Sequence, residues 1–97
     1  MNKSKLVVPF ISSQYRFAQD RGPASRKLRY YCIQLLSFCE CESSIPTILE
    51  ALNDEYFLVR KEACYAVEDH KITDALPLIR ERLQDVPPEV RRVAQEV

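Results

Sequence analysis

The sequence predicts an all-α fold made of stacked pairs of antiparallel helices. Three observations indicate this: a repeat at an offset of 31 residues, apolar side chains at helical spacing within each unit, and a single Gly among 97 residues of which 46% are hydrophobic. This composition is typical of a compact helical protein rather than a disordered chain. At this length we expect one small domain, residues 1–97, with a modest core.

The repeat is clearest between residues 46–63 and 77–94. Eight identical residues coincide there at the 31-residue offset. The pairs are Pro46 and Pro77, Ile48 and Ile79, Glu50 and Glu81, Leu52 and Leu83, Asp54 and Asp85, Val59 and Val90, Arg60 and Arg91, and Ala63 and Ala94. Self-similarity at a fixed period of this length is typical of helical repeat arrays.

An earlier copy of the second half of the unit lies at 28–36. There "LRYYCIQLL" aligns with "VRKEACYAV" at 59–67, while the preceding helix is displaced because Pro9 precedes Pro46 by 37 residues. The turn "QDRGPASRK" takes up the extra length and contains the only Gly. We therefore expect about two and a half to three repeats, near 8–37, 44–68 and 74–97.

Each unit is predicted to be a first helix (A), a short turn and a second helix (B). In repeat two, helix A is expected at about 44–53, with Ser43 or Ser44 as N-cap and Pro46 in the first turn. Helix B is expected at about 56–68. In helix A the apolar positions Ile45, Ile48, Leu49 and Leu52 fall at i, i+3, i+4 and i+7 spacing. In helix B a similar stripe is formed by Val59, Ala63, Ala66 and Val67.

Repeat three follows the same plan. Its predicted core positions in helix A are Leu76, Ile79 and Leu83, and Pro87 and Pro88 open its helix B. A helix pair of this kind cannot bury its apolar faces alone, so it must stack on its neighbours.

The pattern of proline-x-aliphatic, Leu-x-Asp and Val-Arg-x-x-Ala resembles HEAT repeats, in particular the short type first associated with phycobilin lyases. "LNDEYFLVRKEACYAV" is the closest match. The resemblance implies an α-solenoid with A helices on the convex side and B helices on the concave side. It also implies that Asp54 and Asp85, in the turns, work with Arg60 and Arg91 as a ladder between repeats.

Several features depart from that pattern. Repeat one lacks the turn Asp, and the linkers "SFCECES" and "EDHKITD" replace the usual Gly-containing form. The chain stops inside helix B of repeat three with no capping residue, so either it is a fragment of a longer array or another chain covers the open end.

The non-core positions of the B helices are the candidate binding surface. At the 31-residue offset they form rows on the expected concave face, and Tyr and Arg are enriched at interface hot spots. The predicted partner-binding residues are Tyr30, Gln34, Lys61, Cys64, Tyr65, Arg92 and Glu96. We therefore expect a non-catalytic scaffold or adaptor that binds a protein or peptide.

Other functions are less well supported by the residues. His70 is the only histidine, and no catalytic residue, cofactor site or paired Cys-x₂₋₄-Cys zinc spacing is expected around Cys39 and Cys41. Two alternatives stay open, both by analogy with other HEAT-like proteins. One is an accessory component of a lyase-like enzyme that binds a bilin or small ligand, and the other is a nucleic-acid-binding solenoid.

The charge is unevenly distributed although the net charge is zero. Residues 1–30 hold seven basic side chains and one acidic, a net of +6, and the rest of the chain carries −6. Its acidic part disfavours nucleic acid, while the asymmetry favours head-to-tail self-association through uncapped ends. No segment is long and apolar enough for a signal-peptide core or a membrane span, so we expect a cytoplasmic protein whose four cysteines are free thiols.

Overall fold

Six α-helices follow one another in the computed structural model, which describes residues 4–39 and 41–97 and the side chains of 7–39 and 41–97. The helices are α1 (Ser4–Gln19), α2 (Arg26–Phe38), α3 (Ile45–Ala51), α4 (Phe57–His70), α5 (Leu76–Arg82) and α6 (Pro88–Glu96). Short 3₁₀ turns precede α2, α3 and α5 at Gly22–Ser25, Glu42–Ser44 and Thr73–Ala75. Lys3 and the side chain of Lys5, two of the seven basic residues counted in residues 1–30, lie outside this description, as does Glu40 between Cys39 and Cys41.

The helices pack as three successive pairs, which confirms the predicted all-α stacked architecture. Each A helix (α1, α3, α5) packs on the B helix that follows it, and α4 packs between α2 and α6. The B helices therefore form one continuous layer. The molecule measures 39 × 30 × 16 Å.

The start of α3 differs in detail from the prediction. Pro46 lies in the first turn, where its missing N–H is not needed. Ser44 occupies the N-cap position without a side-chain capping bond. Its hydroxyl instead donates to the Cys41 carbonyl at 2.7 Å, because the preceding 3₁₀ turn points the side chain backwards along the chain.

The core includes residues of all three helix pairs, but the third pair has predicted core residues that are exposed. Leu52 is fully buried, whereas its repeat counterpart Leu83 is 39% exposed. Leu76, also predicted as core, is 42% exposed. The reason is position: α3 belongs to the middle pair and has a pair on each side, whereas α5 has a described neighbouring pair on one side only.

The linker after α4 forms a C-terminal cap without glycine. Lys71 adopts the left-handed conformation, with φ of 52°. The N–H of Lys71 donates to Glu68 at 3.2 Å and that of Ile72 donates to Val67 at 3.0 Å, the two bonds of a Schellman motif. A lysine thus occupies the conformation that glycine usually takes.

Candidate protein-binding surface

Buried arginine–aspartate pairs join each B helix to the turn of the next helix pair. Nε of Arg29 on α2 lies 3.0 Å from Oδ2 of Asp54, and these side chains are 1% and 2% exposed. On α4, Nε and Nη2 of Arg60 donate to the two carboxylate oxygens of Asp85 at 2.7 and 2.8 Å. The two pairs have the same separation of 25 residues, so the contact repeats with the fold.

The ladder expected between repeats is present, since Arg60 of the second repeat pairs with Asp85 of the third. The Asp54 carboxylate binds Arg29 rather than Arg60. Arg60 holds its own turn through the backbone, where Nη1 donates to the Asp54 carbonyl at 2.7 Å, and Arg91 does the same to the Asp85 carbonyl. Arg60 reaches both turns because its planar fork has several donors in fixed directions.

The electrostatics of these pairs favour the charged forms. Burial alone would lower the pKa of the Arg29 guanidinium, but hydrogen bonding to Asp54 and its charge, followed by those of Glu55, raise it. Burial alone would raise the pKa of the Asp85 carboxyl, but Arg60 and then Arg82 hold it below its ordinary value. The B helices are thus fixed relative to one another by these ion pairs.

The predicted surface residues lie on three neighbouring helices, two to a helix and one turn apart. Tyr30 and Gln34 belong to α2, Lys61 and Tyr65 to α4, and Arg92 and Glu96 to α6. The residues on α2 and α4 are half-buried, and those on α6 are exposed. Because α4 packs between α2 and α6, these positions share the B-helix layer.

The prediction that Cys64 belongs to this surface is wrong. Its side chain is fully buried in the core, and burial raises the pKa of its thiol to about 12. Its repeat counterpart Ile33 is also fully buried, whereas Gln95 is exposed. This row faces the next helix pair rather than the solvent, so a partner has no access to Cys64.

Tyr56 is a surface residue that the repeat pattern did not reveal. It precedes α4 and lines a depression of about 160 Å³ with Lys27, Tyr30, Tyr31 and Leu58. The Arg26 guanidinium lies over its ring, 5.0 Å from the centroid. Its counterparts at the 31-residue offset are Ser25 and Pro87, so the period gave no reason to select it.

The depression is amphipathic. The rings of Tyr30 and Tyr31 meet edge to face at 5.5 Å between centroids. Burial, with smaller effects of Glu62, Tyr31 and Tyr56, raises the pKa of the Tyr30 hydroxyl, so this hydroxyl stays protonated and can donate a hydrogen bond. Rings, a guanidinium and a lysine around one hollow suit an apolar or aromatic side chain with an acidic neighbour.

His70 has a structural contact. Its Nε2 lies 2.9 Å from the Ser37 carbonyl and donates to it in the matching tautomer, which satisfies an acceptor near the end of α2. A second hollow beside it is lined by Cys41, Glu42, Ile45, Asp69 and His70. In the part of the chain that the structure describes, no group of three or more His, Cys, Asp or Glu side chains could hold a metal ion.

The described helices include none that is long and apolar enough to cross a membrane. The stacked pairs, the continuous layer of B helices and the arginine–aspartate ladder define a class of protein, the α-solenoids built from two-helix repeats.

The family follows from comparison with known proteins. A family model described as HEAT repeats matches residues 20–97, and the chain therefore belongs to the HEAT-repeat family. Searches of the curated proteins and of the solved structures found no match. HEAT repeats commonly mediate protein–protein interactions.

Proposed function

We propose that this protein is a non-catalytic scaffold or adaptor that binds a partner protein or peptide through its B-helix face. The observation that carries the proposal is the aromatic depression between α2 and α4, where Tyr30 and Tyr56 lie together. The binding surface consists of this depression and the neighbouring positions of the layer: Tyr30, Gln34, Tyr56, Lys61, Tyr65, Arg92 and Glu96.

Rigidity supports this proposal. The Arg29–Asp54 pair is almost fully buried, the Arg60–Asp85 pair is largely buried, and both fix the spacing of α2, α4 and the turns. A surface held in this way loses little conformational entropy when it binds, so more of the contact energy appears as affinity.

The residue types support a peptide with an apolar or aromatic anchor. Tyrosine rings give a large contact area at low entropic cost, and Lys61 on the next helix offers a charge for a carboxylate of the peptide. We propose that the anchor enters the Tyr30–Tyr56 depression and that the peptide continues across α4 towards Tyr65.

A differential affinity capture tests the surface. Wild type, Tyr65→Ala and Lys61→Glu would each be used as bait, with Arg80→Glu on α5 as a matched charge reversal away from the B helices. We expect the specific partner to be depleted by the two surface variants and retained by Arg80→Glu. Titration calorimetry with the identified partner should then show a dissociation constant about tenfold weaker or more for Tyr65→Ala.

Three outcomes would contradict the proposal: equal capture by all four baits, equal loss from Arg80→Glu, or loss only for core variants such as Val59→Asp. Circular dichroism of each bait shows whether it is folded. The free thiols of Cys32, Cys39 and Cys64 are compatible with the cytoplasmic location that we also propose.

Self-association through the ends of the solenoid is the second part of the proposal. The two ends differ in shape and chemistry, which decides how two copies can meet.

A further inference from the structure

The outer side of the first helix pair carries a continuous row of exposed apolar side chains. We call it the α1–α2 end face; its main members are Phe10, Phe17, Leu28, Tyr31, Leu35 and Phe38. The most exposed is Phe38, at 76%. Soluble monomers rarely leave a contiguous apolar patch of this extent uncovered.

These residues share one surface. The four on α2 are spaced by three, four and three residues, which is the a/d spacing of helix–helix interfaces, and the two on α1 lie seven apart. Phe17 and Leu28 line the same depression, so the two rows meet. On α1, Ser12 and Arg16 bond Thr47 of the second pair, which places Phe10 and Phe17 on the side away from that pair.

The end face is not a copy of the contact between internal repeats. At the 31-residue offset Leu35 corresponds to Ala66, Tyr31 to Glu62 and Phe38 to Asp69. Ala66 is small and fully buried, and Glu62 and Asp69 are charged. A surface with larger and more apolar residues at all three positions suits a different neighbour from an internal HEAT repeat.

The arginine–aspartate ladder also stops at this face. The position equivalent to Asp54 is Pro23, which has no carboxylate. If the α6 end of another copy stacked here in register, Arg91 would meet Pro23 instead of an aspartate. The head-to-tail contact expected from the charge asymmetry therefore lacks the pair that joins the other repeats.

The apolar area matches what a dimer needs. Tyr31, Phe10, Phe17 and Phe38 are 55–76% exposed, and at roughly 200 Å² for each aromatic side chain they offer about 500 Å² per chain. Leu28 and Leu35 add to this. A standard stable interface buries about 800 Å² per partner, so these six side chains supply most of one.

The positive charge near this face is largely compensated within the chain. Arg16 pairs with Glu50, Arg26 approaches Glu55, and Arg29 is buried with Asp54. The Arg21 guanidinium lies over the Phe17 ring at 4.5 Å from the centroid. Two copies can therefore bring these faces together without placing many bare charges opposite each other.

We propose that two copies of this chain pack their α1–α2 end faces on each other about a two-fold axis, forming a four-helix interface. A two-fold contact uses the same surface on both copies and closes the assembly at a dimer. Helices at a/d spacing pack in this way in four-helix bundles. This inference deepens the self-association proposed above; of the six main residues of the end face, Tyr31 alone also lines the depression of the partner-binding surface.

Sedimentation velocity from about 1 to 100 µM tests the proposal. The variants are Leu35→Glu and Phe10→Ser on the end face, with Val86→Glu as a control. Val86 is 87% exposed in the turn between α5 and α6. Wild type and Val86→Glu should form dimers and nothing larger, and each end-face variant should raise the dimer dissociation constant about tenfold or more while keeping its helical circular dichroism.

The salt dependence of dimerisation distinguishes the two-fold dimer from the head-to-tail contact. An apolar two-fold dimer should persist or tighten as salt is raised, because salt screens the residual repulsion between the basic ends, whereas a charge-driven head-to-tail contact should weaken. Tyr65→Ala should dimerise like wild type, so a failure of the partner-binding surface and a failure of the dimer are told apart.

The proposal is overturned by a wild type that stays monomeric over this range, which would leave the face to another partner. It is also overturned by end-face variants that dimerise as tightly as wild type. Assemblies that grow beyond dimers, or loss of association in Val86→Glu alone, would show the head-to-tail contact instead.

Discussion

Tyr15 on α1 donates a hydrogen bond of 2.6 Å from its hydroxyl to Oδ2 of Asp54, across 39 residues of sequence. The same carboxylate accepts bonds from Nε of Arg29 at 3.0 Å and from the backbone N–H of Tyr56 at 3.0 Å. Burial, then the hydrogen bond to Asp54 and its charge, raise the pKa of the Tyr15 hydroxyl above its usual range. One buried carboxylate therefore ties both helices of the first pair to the turn of the second.

Removing this carboxylate should be costly. In Asp54→Ala, Arg29 keeps its charge while buried and loses its main partner, and Tyr15 loses its acceptor. We expect a loss of about 3 kcal/mol or more in the free energy of unfolding, measured by urea denaturation. The matched control is Glu50→Ala, which breaks the half-exposed pair with Arg16 and should cost less than about 1 kcal/mol. Similar losses in the two variants would show that the buried junction contributes little.

The hydroxyl of Tyr15 can be tested alone. Tyr15→Phe keeps the buried ring and removes one hydrogen bond to a charged acceptor, which should lower the free energy of unfolding by about 1.5–3 kcal/mol. The same change at Tyr31, which is 55% exposed, should alter it by less than about 0.5 kcal/mol. A neutral Tyr15→Phe would mean that the bond exists without stabilising the fold.

The free energy of unfolding should fall in acid, partly because Asp85 becomes protonated. Its pKa in the folded protein lies below the ordinary value of 3.8, so the unfolded chain takes up the proton first as the pH drops. The stabilisation is fully present above that ordinary value and is lost as the pH falls through the lowered folded-state value. Urea midpoints measured at a series of pH values should show this decline.

Asp85→Asn is the control for that decline. It should be less stable than wild type at neutral pH, and the difference should shrink in acid. Glu62 should behave in the opposite sense, because burial raises its pKa; Glu62→Gln should lose less stability at neutral pH than Asp85→Asn. A constant gap between wild type and Asp85→Asn at every pH would contradict the assignment.

Lys71 offers a stabilising change. It holds a positive φ at the end of α4, which costs an L-residue other than glycine roughly 1–2 kcal/mol. After the greater flexibility of glycine in the unfolded chain is subtracted, Lys71→Gly should raise the free energy of unfolding by about 0.5–1 kcal/mol. A rise in the melting temperature of Lys71→Gly relative to wild type would show this gain in stability. Lys71→Ala, which keeps the left-handed strain, should show no comparable gain.

The periodic part of the fold followed from the sequence because helix packing repeats with the residues. Identical residues 31 apart marked the second and third pairs, and α3, α4, α5 and α6 lie close to where the period put them. The family model over residues 20–97 agrees with the resemblance carried by "LNDEYFLVRKEACYAV". The 31-residue period identified equivalent positions on the three B helices, but it could not tell whether the side chain at each position is exposed. Cys64 is an example, because it is buried.

The 31-residue period could not predict contacts that occur in only one of the repeats. Tyr15 has no repeat counterpart that would mark it as a partner of Asp54, and Tyr56 aligns with Ser25 and Pro87. Cys64 could be a surface or a core residue at the same sequence position, because only the stacking of the next helix pair covers it. Leu83 shows the converse, since a core position becomes exposed where no described pair follows.

The sequence by itself determined the class of fold and the two-helix unit, because hydrophobic spacing and turn residues are local properties of the chain. Tertiary structure alone decided the register of the arginine–aspartate ladder, the burial of Cys64, the depression around Tyr56 and the exposed α1–α2 end face. The physical reason is that these depend on which helix pair lies beside which, and the position of a residue within its own repeat does not contain that information.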